Sequence, residues 1–223
     1  MIWNTYPDRD ALFLTLAKTL AAALIDTLNH KDRGTLAVPG GTSPGPVFKA
    51  LSQVDLPWDR VDIMLTDERW VPESSDRSNT ALLRQTLLIG PAAAATLIPL
   101  VSDAPTPEDT LTTLSKGIEP HLPIDVLLLG MGPDMHTASL FPGADRLNEG
   151  LSPNAPTLLP MRAPGAPEPR VTLTAPVLKA AARTHILIMG QEKKAAMEAA
   201  STLSPKDAPV AIVLDGAQIF YAD

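Results

Sequence analysis

Residues 124–130, Ile-Asp-Val-Leu-Leu-Leu-Gly, are an almost unbroken apolar run that ends on a glycine. A strand with one wet face would alternate apolar and polar residues. This run does not alternate, so as a strand it must be covered on both faces, as in a parallel sheet sandwiched between helices. Similar runs recur along the chain: 35–38 (TLAV), 61–65 (VDIML), 170–174 (RVTLT), 185–190 (HILIMG) and 210–216 (VAIVLDG). Helical segments lie between them. Residues 8–30 place Phe13, Leu16, Leu20 and Leu24 on one face behind an Asp8 cap, and further helices are expected at 79–88, 105–118 (Thr106 cap, Pro107 in the first turn), 176–183 and 191–202. Strands alternating with helices predict an α/β fold: three layers, a mostly parallel sheet flanked by helices, Rossmann-like, with residues 1–223 as a single domain. Residues 151–170 hold six prolines and few large apolar residues, and read as a long irregular loop rather than a domain boundary.

The bulk composition narrows the chemistry. With 223 residues, 45% of them apolar, the chain can build a sizeable core. No stretch reaches about 18 uncharged apolar residues, so no transmembrane helix is expected, and the first ten residues lack the pattern of a signal peptide. The chain has no cysteine, which excludes disulfides, thiolate catalysis and cysteine-ligated zinc. A net charge of −7 argues against nucleic acid as a partner. An anionic ligand would need positive charge gathered in one place.

Ligand sites in such sheets collect at the carboxyl ends of the strands, and four loops there carry suitable residues. Pro-Gly-Gly-Thr-Ser-Pro-Gly, 39–45, lets the backbone approach an anion, with Ser43 able to cap a helix beginning at Pro44. A tight turn alone would explain it equally well. Thr-Asp-Glu-Arg-Trp, 66–70, reads by itself as a solvated turn with a local ion pair. Gly-Met-Gly-Pro-Asp-Met-His, 130–136, lacks the third glycine of a dinucleotide fingerprint. It does present His136, a residue type whose pKa of about 6.5 suits proton transfer. His30, His121 and His185 have no reactive surroundings in sequence and read as structural. In Met-Gly-Gln-Glu-Lys-Lys, 189–194, Lys193 falls in the first turn of a helix, where a cation opposes the dipole unless an anion binds there. Lys194 fits a solvated face. These residues outline an α/β enzyme with an anion site, a histidine and no metal, but not its substrate.

Taken together, PGGTSP, LTDERWVP with the later SN, LLLGMGPDMHTASLFPG, RVTLTAPVL and GQEKKAAM, in that order over about residues 36–200, resemble the 6-phosphogluconolactonase family, related to the glucosamine-6-phosphate isomerases. The resemblance implies a cytoplasmic enzyme of the pentose phosphate pathway. It would hydrolyse 6-phospho-D-glucono-1,5-lactone to 6-phospho-D-gluconate without metal or cofactor, its partner a small phosphosugar lactone and neither nucleic acid nor membrane. It assigns His136, Asp67 and Arg69 to catalysis. Gly40, Gly41, Thr42, Ser43, Asp134, Arg170 and Lys193 go to substrate binding, the phosphate lying against the glycine loop and Lys193. Asp67 and Asp134 orient either sugar hydroxyls or the imidazole.

Two other readings share the fold. One is an aldose–ketose aminosugar-phosphate isomerase, which would want a carboxylate where this chain has Phe141. The other is a sugar-phosphate-binding protein with weak activity, favoured only by Met135, which stands where the family pattern has glycine. Methionine there is expected to take a negative φ and point into apolar surroundings.

Overall fold

The structure is a computed structural model describing residues 1–223. In chain order its elements are β1 (Ile2–Thr5), α1 (Arg9–Leu28), β2 (Gly34–Val38), α2 (Gly45–Leu51), β3 (Val61–Leu65), β4 (Asp67–Arg69), α3 (Asn79–Thr86), β5 (Thr96–Ile98), α4 (Leu111–Ile118), β6 (Val126–Gly130), α5 (Leu147–Gly150), β7 (Leu158–Met161), β8 (Arg170–Leu173), α6 (Ala175–Lys179), β9 (Thr184–Met189), α7 (Gln191–Ala200) and β10 (Gln218–Ala222). Seven strands form a sheet in the order β1-β10-β9-β6-β2-β3-β5, and every neighbouring pair in it is parallel. This is the mostly parallel, helix-flanked α/β fold expected from the unbroken apolar runs.

Chain order along the sheet reverses between β2 and β6: from β2 it proceeds outward to β3 and β5, and from β6 to β9 and β10. The loops leaving β2 and β6 therefore part company at their carboxyl ends and open a crevice, the usual ligand position in such sheets. A second sheet, antiparallel in the order β4-β8-β7, stands beside it and brings Asp67–Arg69 against Arg170–Thr172.

The core is one cluster of 56 buried apolar residues. α1 begins at an Asp8 cap that accepts from the Ala11 N–H at 2.8 Å. By length and composition α1 is apolar enough to cross a membrane, although Lys18 and Asp26 keep it short of 18 uncharged residues in a row, as expected. Its leucine stripe, Leu12, Leu16, Leu20 and Leu24, is nonetheless wholly buried, as in a core helix packed on the sheet.

Several boundaries differ from the sequence reading. The run 210–216 is not a strand. Pro209–Val213 form a 3-10 turn whose Val210 N–H donates to the Met135 carbonyl, and the strand follows at Gln218–Ala222, between β1 and β9. Burial of Val210, Val213 and Leu214 comes from that turn's packing, and an apolar run alone cannot distinguish the two. Residues 151–170 are not wholly irregular, because β7 lies within them, all four residues buried, with Pro160 tolerated on an edge strand. Residues 105–118 divide into a 3-10 turn at Pro107–Asp109 and α4, Asp109 accepting from both the N–H and the hydroxyl of Thr106. α2 starts at Gly45 with Pro44 as its cap residue, so Ser43 caps nothing. The short strands β1 and β5 carry too little pattern to have been read.

His185 sits at the start of β9, 2% exposed, with neither ring nitrogen partnered. Burial, helped by the nearby Arg183 charge, lowers its pKa from 6.5 to about 4. The folded state therefore holds the neutral ring, while the unfolded chain binds a proton below about 6.5. Stability attributable to this group is intact above the unfolded value and is lost as pH falls toward the folded one. The loss is expected to reach roughly 2 kcal/mol between pH 7 and pH 5. Urea unfolding at the two pH values should show it, and His185→Leu should remove it. An unchanged pH slope in that variant would refute the assignment.

Candidate active site

The crevice is a cleft of about 320 Å³ whose wall includes Pro39, Gly40, Gly41 and Ser43 after β2, Asp67 and Arg69 after β3, and Gly130–Pro133, His136 and Ala138 after β6. Pro44, Asn79, Arg170, Leu187 and Lys193 complete it. Eight of the ten residues singled out from the sequence thus share one wall. Thr42 and Asp134 do not line it. Thr42 is exposed beside the glycine loop, and its carbonyl accepts from the Gly45 N–H.

Asp134 has a different task. Its Oδ1 meets His136 Nδ1 at 2.5 Å. A carboxylate accepts, so Nδ1 carries the hydrogen, and the neutral ring keeps its lone pair on Nε2. Gly132 makes this arrangement possible, since a Cβ there would lie 2.3 Å from the imidazole and 2.5 Å from the Asp134 carboxylate. Backbone bonds from the Gly132 N–H to the His136 carbonyl and from the Met135 N–H to the Gly132 carbonyl close the loop tightly.

That closure bends the backbone into unusual regions. Met135 has φ 64° and Ala138 φ 48°. The expected negative φ at Met135 is therefore wrong, and the left-handed conformation costs on the order of 1–2 kcal/mol for a residue with a Cβ. Both Met135 backbone groups are satisfied, and its side chain packs half-buried against the core. The side chain stays outside the cleft wall, so it does not obstruct the site.

Asp-Glu-Arg is not a solvated turn, because each of its three side chains goes somewhere different. Asp67 is buried in the cleft wall, where its Oδ2 accepts from Ser139 Oγ at 2.6 Å and lies 3.7 Å from Arg170 Nη1. Glu68 is fully buried and accepts from the N–H groups of Arg69, Asn79 and Thr80 and the hydroxyls of Ser78 and Thr80. Arg69 donates from Nη1 to the Arg77 carbonyl at 2.7 Å. The Nε atoms of Arg69 and Arg170 are both buried without a protein partner. Burial pulls the Arg170 guanidinium below its usual pKa, Asp67 opposes that, and Arg69 adds to it. Two guanidiniums beside one cleft, that of Arg170 largely desolvated, with Lys193 in the first turn of α7, gather positive charge within an acidic protein. Lys194 turns away and lies 5.2 Å over the Tyr221 ring.

Two site residues escaped the sequence reading. Asn79 accepts weakly from the Gly41 N–H (3.4 Å) and donates to the Asp67 carbonyl at 3.2 Å, so it ties the glycine loop to β4. It fits only because Gly40 has no side chain, since a Cβ there would come within 2.0 Å of it. Ser139 is wholly buried behind Asp67. Both lie inside segments that carry the family resemblance, and their small polar side chains gave no chemical signal of their own.

Known proteins agree with this architecture. A relative from Mesorhizobium japonicum named 6-phosphogluconolactonase is 40% identical over 226 residues, covering 99% of this chain and 94% of its own. One of the same name from Pseudomonas aeruginosa is 43% identical over 187 residues, covering 83% and 79%. The crystal structure of a 6-phosphogluconolactonase from Shewanella baltica superposes with a TM-score of 0.96 at 28% identity, covering 100% of this chain and 98% of that one. The model of the family described as glucosamine-6-phosphate isomerases/6-phosphogluconolactonase matches residues 7–221. The chain belongs to that family.

Proposed function

We propose that this chain hydrolyses 6-phospho-D-glucono-1,5-lactone to 6-phospho-D-gluconate, in the cytoplasm, as a step of the pentose phosphate pathway. The observation that carries the reading is a carboxylate-oriented imidazole with a free Nε2, set in the same cleft wall as two guanidiniums whose Nε atoms are buried without a protein partner. Names of relatives from Mesorhizobium japonicum and Pseudomonas aeruginosa support the choice of substrate.

In this mechanism His136 Nε2 takes a proton from water as its oxygen attacks the lactone carbonyl. Negative charge developing on the carbonyl oxygen is met by Arg69, already oriented by the Arg77 carbonyl. As the tetrahedral intermediate collapses, the bond to the ring oxygen breaks and the imidazolium returns its proton to that oxygen. The product carboxylic acid then ionises. Asp134 holds the ring in one tautomer throughout, and Asp67, fixed by Ser139, faces the sugar hydroxyls. Phosphate binding falls to Lys193, the glycine loop at Gly40 and Gly41, Ser43 and Arg170, and it positions the lactone from a distance.

The isomerase reading fares worse, because Phe141 puts an apolar ring against His136 where a second carboxylate would be needed. The binding-protein reading loses its one support, since Met135 lies outside the cleft wall. The deciding experiment generates fresh lactone in situ and compares its disappearance with the spontaneous rate. No acceleration would refute the proposal.

Lys193→Ala is expected to raise KM about ten- to a hundredfold, with a much smaller change in kcat. That range corresponds to one charge-assisted phosphate contact of roughly 1.5–3 kcal/mol. Steady-state kinetics on lactone checks this, and an unchanged KM would remove Lys193 from the phosphate site.

A further inference from the structure

Phe141 is not in the cleft wall, yet its ring touches two side chains that are. The His136 imidazole lies 4.2 Å from it, centroid to centroid, at a tilt of 36°. The Arg170 guanidinium carbon stands over the same ring, 5.3 Å from its centroid. We infer that Phe141 is a positioning residue, a shared aromatic platform that fixes the rotation of His136 and the placement of Arg170 toward substrate. The inference deepens the lactonase reading and rests on it.

Each of the two groups is under-held without the ring. The imidazole has one side-chain hydrogen bond, to Asp134, a residue two positions earlier whose side chain is half exposed. Such a bond sets which nitrogen carries the hydrogen but leaves the ring free to swing with its partner. A ring packed at 4.2 Å removes that freedom. Arg170 has no protein partner at Nε, and its carboxylate neighbour Asp67 stands at 3.7 Å, beyond good hydrogen-bond length. A desolvated guanidinium gains from an aromatic face, and that attraction holds it without neutralising its charge. A carboxylate in the same place would hold Arg170 more tightly and cancel the charge meant for substrate.

The backbone brings the platform to this place. The turn from Thr137 to Leu140, closed by the Leu140 N–H on the Thr137 carbonyl and passing through Ala138 at φ 48°, returns the chain toward His136. The Phe141 carbonyl then accepts from the Ala144 N–H in the next turn.

Phe141→Leu and Phe141→Tyr test this in the full-length protein by lactone kinetics and by ¹⁵N NMR of the His136 imidazole. The leucine variant is expected to lose about tenfold or more in kcat, since small displacements of reacting groups are costly. Its KM should rise about threefold or more as Arg170 loosens. Its imidazole ¹⁵N signals should shift and broaden as the ring swings, while Asp134 keeps the hydrogen on Nδ1. The tyrosine variant, which keeps the ring, should stay within about threefold of wild type on both constants and hold the single Nδ1–H tautomer. Kinetics within about twofold of wild type and unchanged imidazole signals in Phe141→Leu would overturn the inference. Equal losses in both variants with the imidazole signals unchanged would overturn it too. If Phe141→Leu does not fold, Phe141→Met, of similar volume, is judged by the same outcomes. A wild-type protein without lactonase activity would refute the lactonase reading, and the imidazole spectra would then decide on the platform alone.

Discussion

His136→Ala is expected to lower kcat for 6-phosphogluconolactone hydrolysis by roughly 10²–10⁴-fold, the usual worth of a positioned general base, while affinity for 6-phosphogluconate stays within about threefold. The split follows from where the contacts lie. In the proposed mechanism phosphate binding draws on Lys193, Arg170 and the glycine loop, none of which is hydrogen-bonded to His136. Proton transfer has only one candidate imidazole. His30 is exposed and bonds the Asp26 carbonyl within α1's last turn, His121 bonds Asp62 ahead of β6, and His185 is sealed at the start of β9. None of these three lines the cleft. The measurement is acid release at constant pH with spontaneous hydrolysis subtracted, alongside calorimetric titration with the product. A variant retaining more than about a tenth of wild-type kcat would rule out His136 as the base. Lost product binding would instead place His136 in the binding contacts.

What the sequence made legible was the sheet and its mouth. Unbroken apolar runs such as Val-Leu-Leu-Leu have no stable home except between two layers, so β2, β3, β6, β8 and β9 could be read directly. Loops following those strands had to converge at the carboxyl end, and eight of the ten named site residues share one cleft wall. The misses have a common physical cause: they depend on hydrogen bonds that residue type and apolar pattern do not specify. Residues 210–216 are as apolar as a strand, but Val210 gives its N–H to Met135 instead of to a neighbouring strand. The φ of Met135 is set by a tight loop closed between Gly132 and His136 and held by the Val210 N–H on the Met135 carbonyl, a geometry that residue type alone does not reveal. Asp67 and Asp134 are the same residue type in similar loops. Only the fold shows that one contacts Ser139 and the other the imidazole.

Glu68 shows most sharply how a residue read as a solvated acid becomes a hub. Its Oε1 accepts from the N–H groups of Arg69 at 2.7 Å and Asn79 at 2.9 Å. Its Oε2 accepts from the Thr80 N–H at 2.6 Å, the Thr80 hydroxyl at 2.8 Å and the Ser78 hydroxyl at 3.3 Å. Asn79 and Thr80 are the first two residues of α3, and Ser78 caps the third N–H through Ala81. One buried carboxylate therefore closes a helix N-terminus where the dipole also favours negative charge. Glu68→Ala would strand at least two buried N–H donors, each worth about 1–3 kcal/mol when left unmade. The hydroxyls of Ser78 and Thr80 can turn to other acceptors, so the total is expected at about 3–5 kcal/mol. For a chain of this size that is a drop in Tm of roughly 6–20 °C. Activity should suffer beyond stability, because α3 opens with Asn79, which holds the Gly41 N–H and the Asp67 carbonyl. Freed from Glu68, that side chain no longer fixes the glycine loop against β4, and KM for lactone should rise even well below the new Tm. Glu68→Gln keeps one acceptor oxygen but turns an amide N–H₂ toward donors, so its loss should be smaller but clear. Calorimetric melting of the three proteins, with KM measured at a temperature where all are folded, is the check. A Tm shift under about 2 °C for Glu68→Ala would mean that water or neighbouring carbonyls satisfy the α3 N-terminus, and that Glu68 does not hold the site together.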